Sequence, residues 1–325
     1  MNEKIGVKNK KIFLSGGCGF IGTALLKQLV ADNKIVVFDN GQRNALKYTN
    51  LRHHPNFQFV RGSILDLEKL MRSVRKIDIV IHLAAIAGIE SVGISPRKTM
   101  EVNLIGTYNL LEAVKNHRLS RFVYFSTSEV YGPYVFRADE ERKTTQGSVD
   151  VLRWRYSVSK LAGEHLAHSY FTELDLPLVI LRPFNIYGPR QIGEGAVHKF
   201  VSNAIRNEDL EIYGDGNQIR SWCYIEDMVS AVLKALEEPR AVGNVFNIGN
   251  PTGTITILGL AEKIIELANS KSSIVFKESS YPDVELRVPS IEKAQRLLGF
   301  TADIRLDEGL KRTINWYRDN QETIR

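Results

Sequence analysis

The chain has 325 residues, 43% of them hydrophobic and 25% charged, which argues against a disordered, collagen-like or coiled-coil protein and favours one large domain or two that share a core. Lys and Arg exceed Asp and Glu by six (43 against 37). This excess is spread along the chain without the basic patch typical of a nucleic-acid binder, so it indicates a charged surface and, in part, a partner or substrate that carries phosphate.

In the first half of the chain, short apolar runs alternate with helical patterns. Strands are predicted over residues 11–15, 35–38, 57–60, 77–82, 122–126 and 178–181. Helices are predicted over residues 22–31, 100–115 and 155–174. This alternation predicts an α/β fold of the Rossmann type, a doubly wound parallel sheet with helices on both faces.

After Arg182, glycines and prolines punctuate the chain and the alternation becomes less regular. Helices are predicted over residues 225–236, 257–268, 291–298 and 306–317, and a strand over residues 245–248. We expect residues 1–182 to form the dinucleotide-binding domain, with residues 222–250 returning to it. Residues 183–221 and 251–325 are expected to form a smaller, mixed α/β cap that completes a cleft.

The two cysteines, Cys18 and Cys223, are too few for a disulfide framework, and no Cys/His spacing indicates a metal site. The first apolar run, at residues 12–14, is too short for the core of a signal peptide. The most apolar stretch, at residues 79–89, is too short to span a membrane. We therefore expect a cytoplasmic protein that binds no metal, no nucleic acid and no membrane.

A glycine-rich turn joins the first predicted strand to the first predicted helix. Gly16, Gly19 and Gly22 are spaced for a tight turn, for close approach to a pyrophosphate and for close helix–strand packing. Asp39 ends the second strand, where a carboxylate accepts hydrogen bonds from an adenosine ribose and repels a 2′-phosphate, which favours NAD over NADP. Arg43, close by, weakens that preference. The alternative for Asp39 is a turn residue.

A tyrosine and a lysine four residues apart begin the predicted helix 155–174. Tyr156 and Lys160 share a helix face, so both side chains can point into one cleft. A free tyrosine titrates near pH ~10 and is a poor base at neutral pH, whereas a nearby cation favours the phenolate. The pair is therefore suited to removing a proton from an alcohol while hydride leaves to a nicotinamide. The alternative is an ordinary surface pair.

A hydroxyl-rich segment follows the predicted strand 122–126, at the carboxyl end of the sheet, where open α/β folds bind ligands. Thr127 or Ser128 is suited to bonding a substrate hydroxyl, and Glu129 to acting as a base or a polar positioning group. The alternative is a solvated loop with an exposed glutamate.

Together these motifs resemble the extended short-chain dehydrogenase/reductase family, specifically its NAD-dependent nucleotide-sugar epimerases, dehydratases and decarboxylases. The resemblance covers nearly the whole chain, and it implies NAD, a nucleotide-sugar substrate and a homodimer formed through helices such as residues 100–115 and 155–174. It implies catalytic roles for Thr127, Ser128, Glu129, Tyr156 and Lys160. It implies cofactor contacts from Gly16, Gly19, Phe20, Ile21, Gly22, Asp39, Asn40, Ser63, Ile64, Leu83, Ala84, Ala85, Asn103, Tyr156 and Lys160. It places the substrate's phosphates or nucleoside against Asn185, Arg190, Arg220 and Arg287.

Within this family, the pair Ser128–Glu129 narrows the reaction. Simple 4-epimerases usually lack an acid at this position, whereas UDP-glucuronate decarboxylases and some 4,6-dehydratases carry Thr-Ser-Glu. Residues 153–160 and 182–185 resemble a decarboxylase domain, so we expect a UDP-glucuronate decarboxylase-like enzyme. The alternatives are a 4-epimerase or a 4,6-dehydratase on a UDP-, dTDP-, GDP- or CDP-sugar. A protein that binds NAD without catalysis is disfavoured by the intact Tyr156, Lys160 and Glu129.

The sequence departs from the family pattern at three places. Ser63 stands where many relatives carry an aspartate that holds the adenine amine. Residues 132–152 match no subfamily closely, and residues 191–195 differ from the decarboxylases. These loops are expected to decide the identity of the substrate.

Overall fold

The computed structural model describes residues 7–278 and 284–321. Within these ranges the strands are β1 Lys11–Ser15, β2 Lys34–Asp39, β3 Phe57–Arg61, β4 Ile79–His82, β5 Arg121–Phe125, β6 Tyr134–Ala138, β7 Leu178–Pro183, β8 Ile186–Tyr187, β9 Leu210–Tyr213, β10 Ile219–Ser221, β11 Cys223–Tyr224, β12 Asn244–Ile248, β13 Thr254–Thr256, β14 Ile274–Lys277 and β15 Leu286–Pro289.

The α-helices of the same part of the chain are α1 Phe20–Leu29, α2 Leu67–Ser73, α3 Ile89–Ile94, α4 Pro96–Met100, α5 Gly106–Val114, α6 Trp154–Leu174, α7 Ala196–Arg206, α8 Ile225–Glu237, α9 Ile257–Leu267, α10 Glu292–Leu298 and α11 Leu306–Asp319. A π-helical turn, Glu101–Ile105, joins α4 to α5. Short 3₁₀ turns lie at Ala45–Tyr48, Leu51–His53, Ser128–Tyr131, Pro239–Ala241 and Pro251–Gly253. None of the described helices is long and apolar enough to cross a membrane.

The main sheet has seven strands in the order β12-β7-β5-β4-β1-β2-β3. All its neighbouring pairs are parallel. Its central strands read as nearly continuous apolar runs because helices cover both faces. The predicted fold class is therefore confirmed, and all seven strands lie where the sequence predicts a strand. The strand order reverses between β1 and β4, so the carboxyl ends of these two strands border the crevice where such sheets bind ligands.

Two separate apolar cores cover the faces of the main sheet, because successive side chains of a strand point to opposite sides. Ile12 and Leu14 pack on one face with α1, α8 and α10. Phe13 packs on the other face with α2, α5 and α6. The sheet is thus held rigidly from both sides, and its carboxyl edge is a fixed platform for a site.

A second, four-stranded sheet has the order β13-β10-β15-β6. Its strand β6 lies inside the range 1–182 that was predicted for the dinucleotide-binding domain, yet it pairs in parallel with β15 near the end of the chain. The sequence did not predict β6, α2 or α7. The two-domain division stays a prediction, and parts of it (residues 1–6, 279–283 and 322–325) lie outside the described residues.

Candidate active site

The glycine turn after β1 is packed too tightly for side chains. A Cβ on Gly16 would lie 2.5 Å from the Ala84 nitrogen, and Gly16 has a φ of +71°. A Cβ on Gly22 would lie 2.6 Å from the Gly17 Cα. Gly19 begins α1 without a side-chain cap, so the amide groups of the first helical turn have no competing side-chain acceptor there. This cradle fits the pyrophosphate of a dinucleotide, with Phe20 and Ile21 in the first turn of the helix.

Asp39 lies beside this turn at the carboxyl end of β2. Its Oδ2 atom accepts a hydrogen bond of 3.0 Å from the Cys18 amide, and its Oδ1 atom accepts one of 2.7 Å from the Gly41 amide. Burial raises the pKa of Asp39, and these two amides oppose the rise. The carboxylate therefore stabilises a turn, in which Asn40 also accepts from the Gln42 amide, and it lies next to the glycine loop. Its hydrogen bonding to an adenosine ribose stays a prediction.

Asn103, expected to contact the cofactor, holds two parts of the site together. It lies in the π-helical turn, accepts 2.8 Å from the Ile86 amide, and donates 3.0 Å to both the Ile86 carbonyl and the Ser159 hydroxyl. It thereby ties the loop after β4, which contains Leu83, Ala84 and Ala85, to the helix that carries Tyr156 and Lys160. A π turn in this position is typical of functional sites.

The remaining two predicted cofactor residues lie at the end of β3. The Ser63 hydroxyl accepts 3.3 Å from the Leu65 amide. Ile64 is buried, and a Cβ on Gly106 would lie 2.3 Å from its Cγ2 atom. Ser63 and Ile64 thus shape the turn that packs against the start of α5.

The predicted catalytic tyrosine and lysine lie in the first two turns of α6, beside the carboxyl end of β5. Lys160 is buried with its ammonium 4.7 Å from the Tyr124 ring centroid, and burial lowers its pKa to about 7 while Glu164 opposes that shift. Burial raises the pKa of Tyr156 to about 12, whereas a hydrogen bond with Thr127 acts in the opposite direction. The hydroxyls of Thr127 and Tyr156 are therefore close together, so that one substrate alcohol can contact both.

Glu129 lies in the 3₁₀ turn after β5 and binds two arginines. Arg287 Nη1 donates to its Oε1 atom, and Arg153 Nη2 lies 3.5 Å from its Oε2 atom. Arg287 also donates 3.0 Å to the Gly132 carbonyl. Burial favours a raised pKa for Glu129, but Arg287, Arg153 and Arg220 outweigh it and lower this pKa to about 2. Glu129 is therefore a firmly ionised carboxylate inside a cationic cluster.

The predicted substrate residues fall into two places. Arg220 and Arg287 are buried register partners on β10 and β15, close to Glu129. Asn185, with a φ of +40°, donates 3.0 Å to the Ser221 carbonyl next to Arg220. Arg190 lies instead over the Trp316 ring, 5.4 Å from its centroid, in a surface groove formed by residues of α1 and α8.

Two site residues were not singled out for a role in the site from the sequence. Arg153 precedes Tyr156 by three residues, the helical spacing that places two side chains on one face, and this signal could have found it. His82, buried between the Ser15 hydroxyl (2.7 Å) and the Thr107 hydroxyl (3.0 Å), has a pKa lowered by burial to about 3. It is a neutral link between β1, β4 and α5.

Ser128, predicted as a catalytic residue, is buried next to Glu129 in the chain.

Comparisons with known proteins give a consistent result. A model described as the NAD dependent epimerase/dehydratase family matches residues 12–249. The chain is 33% identical to the UDP-N-acetyl-alpha-D-glucosaminuronate decarboxylase of Bacillus cytotoxicus, over 95% of this chain and 98% of that protein. It is 32% identical to the dTDP-D-glucose 4,6-dehydratase of Bos taurus, over 96% of this chain and 89% of that protein.

Solved structures agree with these relatives. The UDP-glucuronic acid 4-epimerase of Bacillus cereus, in complex with UDP-glucuronic acid and NAD, superposes with a TM-score of 0.87 at 31% identity, covering 95% of this chain and 99% of that chain. The relatives thus include a decarboxylase, a dehydratase and an epimerase.

Proposed function

The chain belongs to the NAD dependent epimerase/dehydratase family, and within that family we propose that it decarboxylates a UDP-hexuronate, with UDP-glucuronate as the first candidate. Membership confirms the resemblance drawn from the sequence, the assignment as an enzyme that modifies nucleotide sugars, and NAD as the cofactor. The choice among decarboxylation, dehydration and epimerisation is the proposal, and one observation carries it: the carboxylate of Glu129 is held by two arginines beside the tyrosine.

The first step is proton removal at C4 of the sugar. NAD, when bound, supplies the acceptor for the C4 hydride. Tyr156 takes the proton of the C4 hydroxyl in its phenolate form, and Thr127 orients that hydroxyl. Because burial raises the pKa of Tyr156 to about 12, the phenolate needs positive charge close to the phenol. Lys160, one helical turn away, favours the phenolate in its charged form, which burial disfavours by lowering the pKa of Lys160 to about 7. The result is a 4-ketone.

The second step needs no base in a decarboxylase. A 4-ketone makes the C5 carboxylate part of a β-keto acid, so the C5–C6 bond breaks, its electron pair passes into an enolate, and CO₂ leaves. A 4,6-dehydratase instead needs a base to take the C5 proton. A carboxylate with a pKa of about 2, bound to Arg287 and Arg153, is a weak base at neutral pH. The state of Glu129 therefore supports decarboxylation over dehydration.

The charge of the cluster also supports an acidic substrate. Arg153, Arg220 and Arg287 are buried close to one carboxylate and lower its pKa together, so this side of the site concentrates positive charge. A UDP-hexuronate brings a diphosphate and a carboxylate. Arginine suits both because its planar fork binds such groups in a bidentate manner.

The test is a substrate panel followed by NMR. Purified protein with NAD is given UDP-glucuronate labelled with ¹³C at C6, UDP-N-acetylglucosaminuronate and dTDP-glucose, with Tyr156→Phe protein as the blank. We expect ¹³CO₂ or bicarbonate to appear together with a pentose or 4-keto-pentose nucleotide. Inversion at C4 with the label retained would make the protein an epimerase, and a 4-keto-6-deoxy product from dTDP-glucose would make it a dehydratase.

We also propose the homodimer implied by the resemblance. Ile105, Tyr108 and Val158 are exposed on the two helical segments expected to form it. Light scattering on the purified protein measures the mass, and a monomer would contradict the proposal. The cytoplasmic location stays a prediction.

A further inference from the structure

The loop after β2, helix α3 and the loop between β8 and α7 meet in one polar cluster, and the proposed reaction assigns no step to its side chains. Arg43, from the loop after β2, donates 3.0 Å to Glu194 and 2.9 Å to the Ser91 hydroxyl. Glu194 lies in the loop between β8 and α7. It also accepts 2.7 Å from the Glu90 amide and 3.0 Å from the Ser91 amide. We call Arg43, Glu194 and Ser91 the Arg43–Glu194 bridge.

These three segments are packed closely together. A Cβ on Gly88 would lie 2.3 Å from Glu194 Oε2, so only glycine leaves room for that carboxylate. A Cβ on Gly193 would lie 3.1 Å from Arg43 Nε. Glu194 is well covered, with a side-chain exposure of 16%, whereas Arg43 is 40% exposed. The bridge is therefore a packed junction whose outer side faces solvent.

The sheet order determines what the bridge spans. Strand β1 lies between β4 and β2. Arg43 follows β2 and Ser91 follows β4, so a contact between them passes across the carboxyl end of β1. That end carries the glycine turn, with Gly16 and Gly19, on which a dinucleotide pyrophosphate rests. A contact across this turn encloses whatever is bound on it.

We propose that Glu194 is a positioning residue for cofactor retention: it holds Arg43 across the glycine turn, so that NADH formed in the first step is not released before the sugar intermediate has reacted. The bridge is neutral overall, since one cation meets one carboxylate. The bridge slows cofactor release by closing the cleft. Electrostatic attraction between Arg43 and a phosphate of the cofactor is a separate effect. The proposal depends on NAD binding and not on which sugar is the substrate.

The experiment measures how fast NADH leaves the full-length protein without any sugar present. NADH is bound, an excess of NAD is mixed in, and the loss of the NADH fluorescence is followed by stopped flow. Glu194→Gln keeps the shape of the side chain and removes its charge. A partly exposed ion pair that also receives amide hydrogen bonds predicts release roughly 3- to 10-fold faster in this variant. NADH release from the wild type is also expected to accelerate with salt, and release from Glu194→Gln much less, because salt screens ion pairs.

Two controls separate closure from general loosening. Glu292→Gln removes the exposed ion pair with Arg137, on a different surface, and is expected to release NADH at the wild-type rate. In an Arg43→Gln background, adding Glu194→Gln is expected to change the release rate no further, because the carboxylate acts through Arg43. Wild-type release rates in Glu194→Gln overturn the proposal. So does an equal acceleration by Glu194→Gln with and without Arg43.

Discussion

The cofactor side and the substrate side of the site are built in opposite ways. On the cofactor side, Gly16, Gly22 and Asp39 come from 24 consecutive residues, and what matters is space and backbone amides. On the substrate side, Glu129 meets arginines from three other segments of the chain, and what matters is charge. A substitution that adds atoms should therefore impair the cofactor side, whereas a substitution that removes a charge should impair the substrate side.

Tyr156 lies where the two sides meet, and its loss should have the largest effect. Tyr156→Phe keeps the ring in its packing and removes the hydroxyl that accepts the C4 proton. We expect turnover to fall by about 10²- to 10⁴-fold, the range for a positioned general base, while NAD remains bound. Turnover is measured by NMR and bound NAD by absorbance after denaturation.

The matched control is Tyr170→Phe on the same helix. The Tyr170 hydroxyl donates to Glu112 on α5 (2.5 Å) and is not one of the site residues. We expect near wild-type turnover from this variant. Full activity in Tyr156→Phe, or an equal loss in both variants, would show that the substrate side does not use this hydroxyl.

The substrate side should respond most to the loss of Arg287. Arg287→Gln removes a positive charge that pairs with the Glu129 carboxylate in a largely buried site. This loss costs about 2–4 kcal/mol of the free energy of unfolding. Denaturant unfolding at pH 7 measures this cost. The double variant Glu129→Gln/Arg287→Gln should recover most of the stability but no activity. If the double variant is as unstable as Arg287→Gln, the unpaired charge of Glu129 is not the cause of the lost stability.

The pH dependence of stability tests the same pairing. Because the pKa of folded Glu129 is lowered to about 2, its contribution to stability is fully present above its ordinary value of 4.5 and is lost as the pH falls from there towards 2. Glu129→Gln should therefore lose less stability between pH 5 and pH 3 than the wild type. Parallel losses in the two proteins would contradict the lowered pKa.

The same contrast explains what could be predicted from the sequence. The glycine turn, Asp39 and the Tyr156–Lys160 pair follow from local spacing, since a turn and one helical repeat determine where they point. The contact of Glu129 with Arg287 depends on strand β6 pairing with β15, about 150 residues later, and no local pattern encodes that pairing. The sequence around Arg190 predicts a substrate-binding residue, yet the fold places its side chain over the Trp316 ring.

The cofactor side offers a clean test, because two of its glycines share a positive φ but differ in their surroundings. Gly16 and Gly41 have φ values of +71° and +80°. A Cβ on Gly16 would lie 2.5 Å from the Ala84 nitrogen, whereas a Cβ on Gly41 would have no atom of the described residues within 4 Å. Gly41→Ala should cost roughly 1 kcal/mol of stability from backbone strain alone.

Gly16→Ala also places a side chain at a positive φ, and in addition it pushes the turn away from the loop after β4. It should cost roughly 1–3 kcal/mol more and lower the amount of NAD that copurifies with the protein, while Gly41→Ala keeps it. Thermal unfolding and the NAD content of the two purified variants check this. Equal NAD content in the two variants would contradict the importance of the space beside Ala84 for the cofactor side.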